Sequence, residues 1–208
     1  TAITMTTSAA VAATAHEEAF WVVDQINQLR RLDNASYSDF AILCRVNAQS
    51  RVFEETFMRQ RIPLRLIGTQ RFYERREIKD LTAYLRVLYN PHDNVAFSRI
   101  INVPARGIGA TTVDRLTEYA AQTNRSMWEV LSSLEEEKYF SPAIHKKLIP
   151  LLYLLRELQE ASSQIDRVDD LLQLIIKKTG YINFLLSEKD GKGEDRVRNV
   201  DELTLAAS

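Results

Sequence analysis

The chain has 208 residues, 45% of them hydrophobic, enough to bury one sizeable core or two small ones. With 27 basic against 28 acidic side chains the formal net charge is -1, which excludes a global field that draws the protein to polyanions, so nucleic-acid binding must come from local clustering. The single cysteine, Cys44, excludes an intrachain disulfide and suits a reducing compartment.

The first half alternates between strand-like and helix-like pieces. Its small, Ala- and Thr-rich opening lacks the basic leader and apolar centre of an export signal and reads as a short strand, Ala2 to Thr6, followed by a loop. His16 to Leu32 sets Ala19, Val22, Val23, Ile26 and Leu29 at the spacing of an amphipathic helix. Asp39 to Arg45 is a short apolar run bounded by polar residues, of the kind that fills the centre of a parallel sheet. Cys44 lies inside it with no histidine nearby in sequence, so a buried, unreactive thiol is expected. Ala48 to Gln60 reads as helix, Pro63 to Ile67 as a strand ended by Gly68, and Ile78 to Tyr89 as helix again. This order predicts an α/β layer fold with a parallel sheet.

After Asn90 and Pro91 the strands stop. Helical spacing covers Asn94 to Ile101, Thr111 to Gln122, Ser126 to Glu137, Pro142 to Ser163, Val168 to Thr179 and Gly180 to Ser187, with Thr111, Ser126 and Ser141 as N-caps. The Leu-rich run Leu148 to Leu158 reads as core, as do Trp21 and Trp128, and Lys138, Lys146 and Lys147 read as a solvated face. A charged, glycine-containing loop from Lys189 to Asp195 precedes a helix from Arg196 to Ala206, and a helix running into the chain end predicts a segment cut from something longer. Two parts follow: residues 1–92, α/β with a parallel sheet, and 93–208, all-α. No run approaches the roughly 18 to 20 apolar residues needed to cross a bilayer.

Three places carry candidate chemistry. Arg45 to Arg51 sits where the expected central strand turns into a helix, the usual ligand edge of an open α/β sheet. There Arg45 suits a bidentate phosphate contact, and Asn47 and Gln49 suit polar contacts to nucleic acid; equally, Asn47 only caps the helix and Arg51 is solvated. Between Arg45 and Arg86 stand ten Lys or Arg against five Asp or Glu. Within that stretch Arg71, Phe72, Tyr73, Arg75, Arg76 and Lys79 form a basic-aromatic cluster suited to stacking on bases while cations hold the backbone. The other reading packs Phe72 and Tyr73 beneath the following helix, with Glu74, Glu77 and Asp80 answering the cations. Last, in Ile101 to Leu116, Gly107 and Gly109 permit close approach of a DNA backbone, and the N–H groups of 107 to 112 are expected to be free for phosphate. Arg106, Gly107, Ile108, Gly109, Thr111 and Thr112 are its candidate residues, Ile108 plugging the space between two helices; a plain tight turn is the alternative. His16, His92 and His145 lie far apart and show no metal-ligand spacing.

Phe40 to Glu55, reading FAILCRVNAQSRVFEE, resembles a motif of the second RecA-like domain in UvrD/PcrA/Rep-type superfamily 1 DNA helicases. Ile62-Pro63 with Gly68, and Arg71 to Arg86, RFYERREIKDLTAYLR, resemble the next motif in order and spacing. Pro104 to Gly109 resembles the segment that opens the inserted helical domain, 2B, and is similar to a helix-hairpin-helix phosphate clamp. The resemblance covers about Ala15 to Ser208; Cys44 stands where relatives commonly carry Tyr.

It implies a partial RecA-like domain followed by a partial 2B domain, taken from an ATP-dependent helicase moving 3′ to 5′ in DNA repair or replication. Arg45 and Asn47 would face single-stranded DNA, and 2B would touch the duplex at a junction. Repair proteins would meet the helical domain, in the cytoplasm at the nucleoid. ATP and Mg2+ would serve the parent and neither would bind this segment, because no Gly-x4-Gly-Lys-Ser/Thr phosphate loop occurs in the sequence. The residues alone also allow a non-catalytic helical protein-interaction module, or part of a helicase-nuclease of the same superfamily.

Overall fold

The computed structural model describes residues 14–45, 49–67, 70–136 and 139–208. The chain gathers into two compact units, Thr1–Phe72 and Tyr73–Ser208.

In the first unit, α1 (Ala15–Asp33) starts at Thr14, whose hydroxyl accepts from the Glu17 N–H at 3.2 Å. Glu17 and Glu18 in its first turn and Arg30 and Arg31 in its last complement the helix dipole, and Asn34 ends it in the left-handed region. The second helix, α2 (Ser50–Arg59), stops where Arg61 turns left-handed and the Ile62 N–H reaches back to the Phe57 carbonyl at 2.9 Å. Val23 and Ile26 pack with Phe57 and Ile62 as the core, and the Arg30 guanidinium lies 3.6 Å from the Tyr37 ring centre.

The parallel sheet expected here is not found. Among the described residues no strand pairs with another; all regular structure is helical. Asp39 to Arg45 begins in a 3-10 turn at Tyr37–Asp39, braced by reciprocal bonds between Ser36 and Asp39, and continues without regular structure, as does Pro63 to Ile67. These two runs instead flank a cleft of about 880 Å³ floored by Phe53 and Phe57. An apolar run is a strand only if a neighbour completes its hydrogen-bond ladder, and neither run has one among the described residues. Leu43 is accordingly 96% exposed and Ile67 86%. Cys44 is exposed rather than buried for the same reason. What cover its thiol has, together with the Glu18 carboxylate, pushes its pKa up. The expected strand Ala2 to Thr6 lies outside the described residues.

The second unit is built around α3 (Arg76–Tyr89), whose Ile78, Leu81, Tyr84 and Val87 are buried at helical spacing. It packs on α4 (Asn94–Ile100), α7 (Pro142–Ser162), α8 (Val168–Thr179) and α10 (Gly193–Ala206). Between α4 and α7 come α5 (Ala110–Gln122) and α6 (Met127–Ser132), the latter opened by a reciprocal Ser126–Glu129 capping box. The short α9 (Tyr181–Leu186) follows Gly180, which turns the chain at φ 67°. The expected Leu-rich core is present: Leu148, Leu151, Leu152, Leu155 and Leu158 of α7 are all buried.

Polar groups, several of them buried, tie the start of α3 to the later helices. Arg75 donates to Asn199 Oδ1 at 2.7 Å, and Asn199 Nδ2 donates to Glu77 Oε1 at 2.6 Å. Asp80 accepts from the Tyr181 hydroxyl and from Arg99 Nε, each at 2.8 Å. Arg76 and Arg196 share the Glu188 carboxylate, each at 2.5 Å.

Candidate nucleic-acid interface

The loop between α4 and α5 is braced from within. Asn102 Oδ1 accepts from the N–H groups of Arg106 at 2.8 Å and Ile108 at 3.1 Å, a side-chain brace across the loop. The Arg106 guanidinium is spent on the same loop: Nη1 donates to the carbonyls of Ile100 at 2.9 Å and Val103 at 3.1 Å, and Nη2 meets the Tyr84 hydroxyl. That hydroxyl donates in turn to the Val103 carbonyl at 2.6 Å, and burial pushes the Tyr84 phenol up, keeping it protonated. Ile108 is 1% exposed, the plug expected of it.

The loop's outer edge is backbone. Gly107 has φ 71°, a conformation that any Cβ would strain. Gly109 is the N-cap of α5 at φ -80° and ψ 170°, with no side chain closing the helix end. Ala110 and Thr111 are exposed, their N–H groups belong to the unsatisfied first turn, and no acidic residue lies in that turn. The donor set is narrower than 107 to 112: the Ile108 N–H is bound to Asn102, the Thr112 N–H returns to the Gly109 carbonyl at 2.9 Å, and Thr112 is buried. The N-cap is Gly109, two residues before the Thr111 expected from the sequence.

The other candidates are dispersed. Arg45 is exposed, and its N–H donates to Gln49 Oε1 at 3.1 Å, so Gln49 helps to close this turn; Asn47 lies outside the described residues. Arg51, read as solvated, is 3% exposed and paired with Glu55 at 2.8 Å. In the basic-aromatic stretch Arg71 and Lys79 are exposed. Phe72 is fully buried, its N–H held by Glu54 Oε2 at 3.1 Å, whereas Tyr73 is 51% exposed. Arg75 is 4% exposed and bound to Asn199. Asn102 and Tyr84, which shape the loop, were not singled out from the sequence. An Asn just before Val103-Pro104 was a usable turn signal for the first; nothing local marked Tyr84.

ATP hydrolysis needs a glycine-rich phosphate loop and carboxylates on the metal. The sequence has no such loop, and among the described residues no three His, Cys, Asp or Glu side chains converge to hold a metal.

The sequence matches the UvrD-like helicase C-terminal domain over residues 4–207, and the chain belongs to that family. It is 38% identical over 191 residues to the ATP-dependent DNA helicase PcrA of Staphylococcus epidermidis, covering 92% of this chain and 26% of that protein. It is 36% identical over 191 residues to the PcrA helicases of Leuconostoc citreum and Staphylococcus aureus, again over 92% of this chain and 25% and 26% of theirs. The chain thus spans about a quarter of the length of these relatives.

Proposed function

We infer that this chain is the DNA-gripping part of an ATP-dependent 3′ to 5′ DNA helicase, the loop around Gly107 holding duplex phosphates and the Arg45 turn meeting the single strand. Family membership supports the helicase, and one observation carries the grip: a loop braced by Asn102 and Arg106 that presents open first-turn N–H groups of α5 with no acid beside them. Backbone donors hold phosphate without reading sequence, as a translocating motor requires. In this reading Arg106 positions the loop rather than touching DNA, and ATP and Mg2+ bind elsewhere in the parent. The partners are DNA at single-strand/duplex junctions and, through the helical unit, repair proteins, in the cytoplasm at the nucleoid. No helix among the described residues is long and apolar enough to cross a membrane.

Gly109→Asp tests it. The backbone there already has the N-cap conformation and an added Cβ meets nothing within 4 Å, so an aspartate caps α5 while placing its carboxylate where phosphate would sit. Fluorescence anisotropy with tailed duplex is expected to show affinity falling by about tenfold or more, with a melting midpoint unchanged or raised. Equal affinity of the variant and the wild type refutes the loop as the duplex contact. Arg45→Ala, read on the single-stranded tail alone, checks the other edge in the same way.

A further inference from the structure

A second basic surface lies beside the loop. The first half of α7 and the end of α8 flank a cleft of about 780 Å³, with Lys146, Lys147 and Lys178 on its walls, Pro150 and Leu154 on its floor, and the Arg106 side chain on one side. From Tyr139 to Arg156, and again from Leu171 to Gly180, the sequence has no Asp or Glu, although the whole chain is balanced to -1. Lys146 and Lys147 are exposed and make no ion pair among the described residues; Lys178 is held by Glu157 of α7 at 2.5 Å. The basic end of α8 and the basic start of α7 come together because these two helices pack on each other. Lys178 and the pair Lys146–Lys147, far apart in sequence, thereby line one cleft.

We propose that this cleft is a second anchor for the phosphodiester backbone of duplex DNA, continuous with the loop at Gly107. The proposal rests on the DNA-binding reading above. Three observations select the ligand. The rim is cationic with one acid, already paired, so the ligand is an anion. Arg106 belongs both to the cleft wall and to the loop, so a backbone lying on the loop reaches the cleft. The floor of Pro150 and Leu154 offers apolar surface to deoxyribose, while flexible lysines hold phosphate as point charges without fixing sequence. The two lysines read from the sequence as a solvated face thus acquire a ligand.

The test is the salt dependence of binding of the 208-residue chain to tailed duplex, for the wild type, Lys146→Ala/Lys147→Ala and Gly109→Asp. Removing two phosphate contacts is expected to make the slope of log K against log salt shallower by roughly 2. Acetylation of Lys146 and Lys147, but not of Lys189 in the α9–α10 loop, is expected to fall when duplex is bound. Both lysines are exposed, so the double variant is expected to melt like the wild type. An unchanged slope in the lysine variant, with Gly109→Asp defective, overturns the second anchor and leaves the loop reading intact. No binding by the wild type overturns both. Loss of polyglutamate binding without loss of duplex binding makes the cleft a site for an acidic protein and also overturns the proposal.

Discussion

Asp80 shows how much single side chains decide in this molecule. It is 2% exposed, and burial pushes its carboxyl up, while the Tyr181 hydroxyl and Arg99 pull it back down. Burial and the neighbouring Asp80 push the Tyr181 phenol far above its ordinary value, so it donates at every accessible pH. Tyr181→Phe leaves Asp80 Oδ2 without that donor and is expected to cost about 1–3 kcal/mol in urea unfolding. A loss below a few tenths would show that the contact contributes nothing. Glu129 behaves in the opposite sense to Asp80. The Ser126 N–H, and then its hydroxyl, hold the Glu129 carboxyl below its ordinary 4.5, so its contribution is present above that value and is lost as the pH falls through the lowered one. Asp80, with its raised carboxyl, costs stability above its folded-state pKa and regains it on acidification. Glu129→Gln is therefore expected to melt below the wild type at neutral pH, the gap closing as acidification carries the pH below the ordinary carboxylate range. A gap independent of pH would contradict the capping role.

At the scale of elements, Gly193 looks replaceable and is not. It was read as part of a charged loop, yet it is the first residue of α10, and a Cβ there would stand 2.8 Å from the Leu185 carbonyl oxygen and 3.1 Å from Leu186 Cα. Both atoms are backbone and cannot step aside. Gly193→Ala, which helix propensity alone would favour by about 1 kcal/mol, is instead expected to lower stability by about 1–3 kcal/mol in chemical denaturation. An unchanged or raised midpoint would mean that α9 yields. The helices themselves were legible: Val168–Thr179 matches the sequence reading at both ends, and Ser126 caps α6 as expected. Periodicity reports a helix because the helix satisfies its own hydrogen bonds. The strands misled because a strand's partner is elsewhere in the chain, so Asp39 to Arg45 and Pro63 to Ile67 carried strand-like composition without a ladder among the described residues. The candidate site was legible where it depends on glycine, at Gly107 and Gly109. It was illegible where it depends on long-range pairing: Arg75 read as a DNA contact because its partner, Asn199, lies 124 residues away.

For the molecule as a whole, balanced charge means that the DNA binding proposed above has to come from local donors and lysines, and it is expected to fall steeply with salt. The 208-residue chain is expected to release no phosphate from ATP above a buffer blank, with or without DNA. Measurable turnover, abolished by no upstream contaminant, would contradict the assignment of hydrolysis to other parts of the parent. The Asn199 carboxamide, which bridges Arg75 and Glu77, sets an order in time. During synthesis at about 5–20 residues per second, Arg75 and Glu77 emerge well before the side chain that joins them. Until α10 has left the ribosome, the start of α3 carries two charged groups whose eventual burial awaits a single late amide. The helices of the second unit can form as they emerge, but the polar cluster at the start of α3 is completed only when α10 arrives.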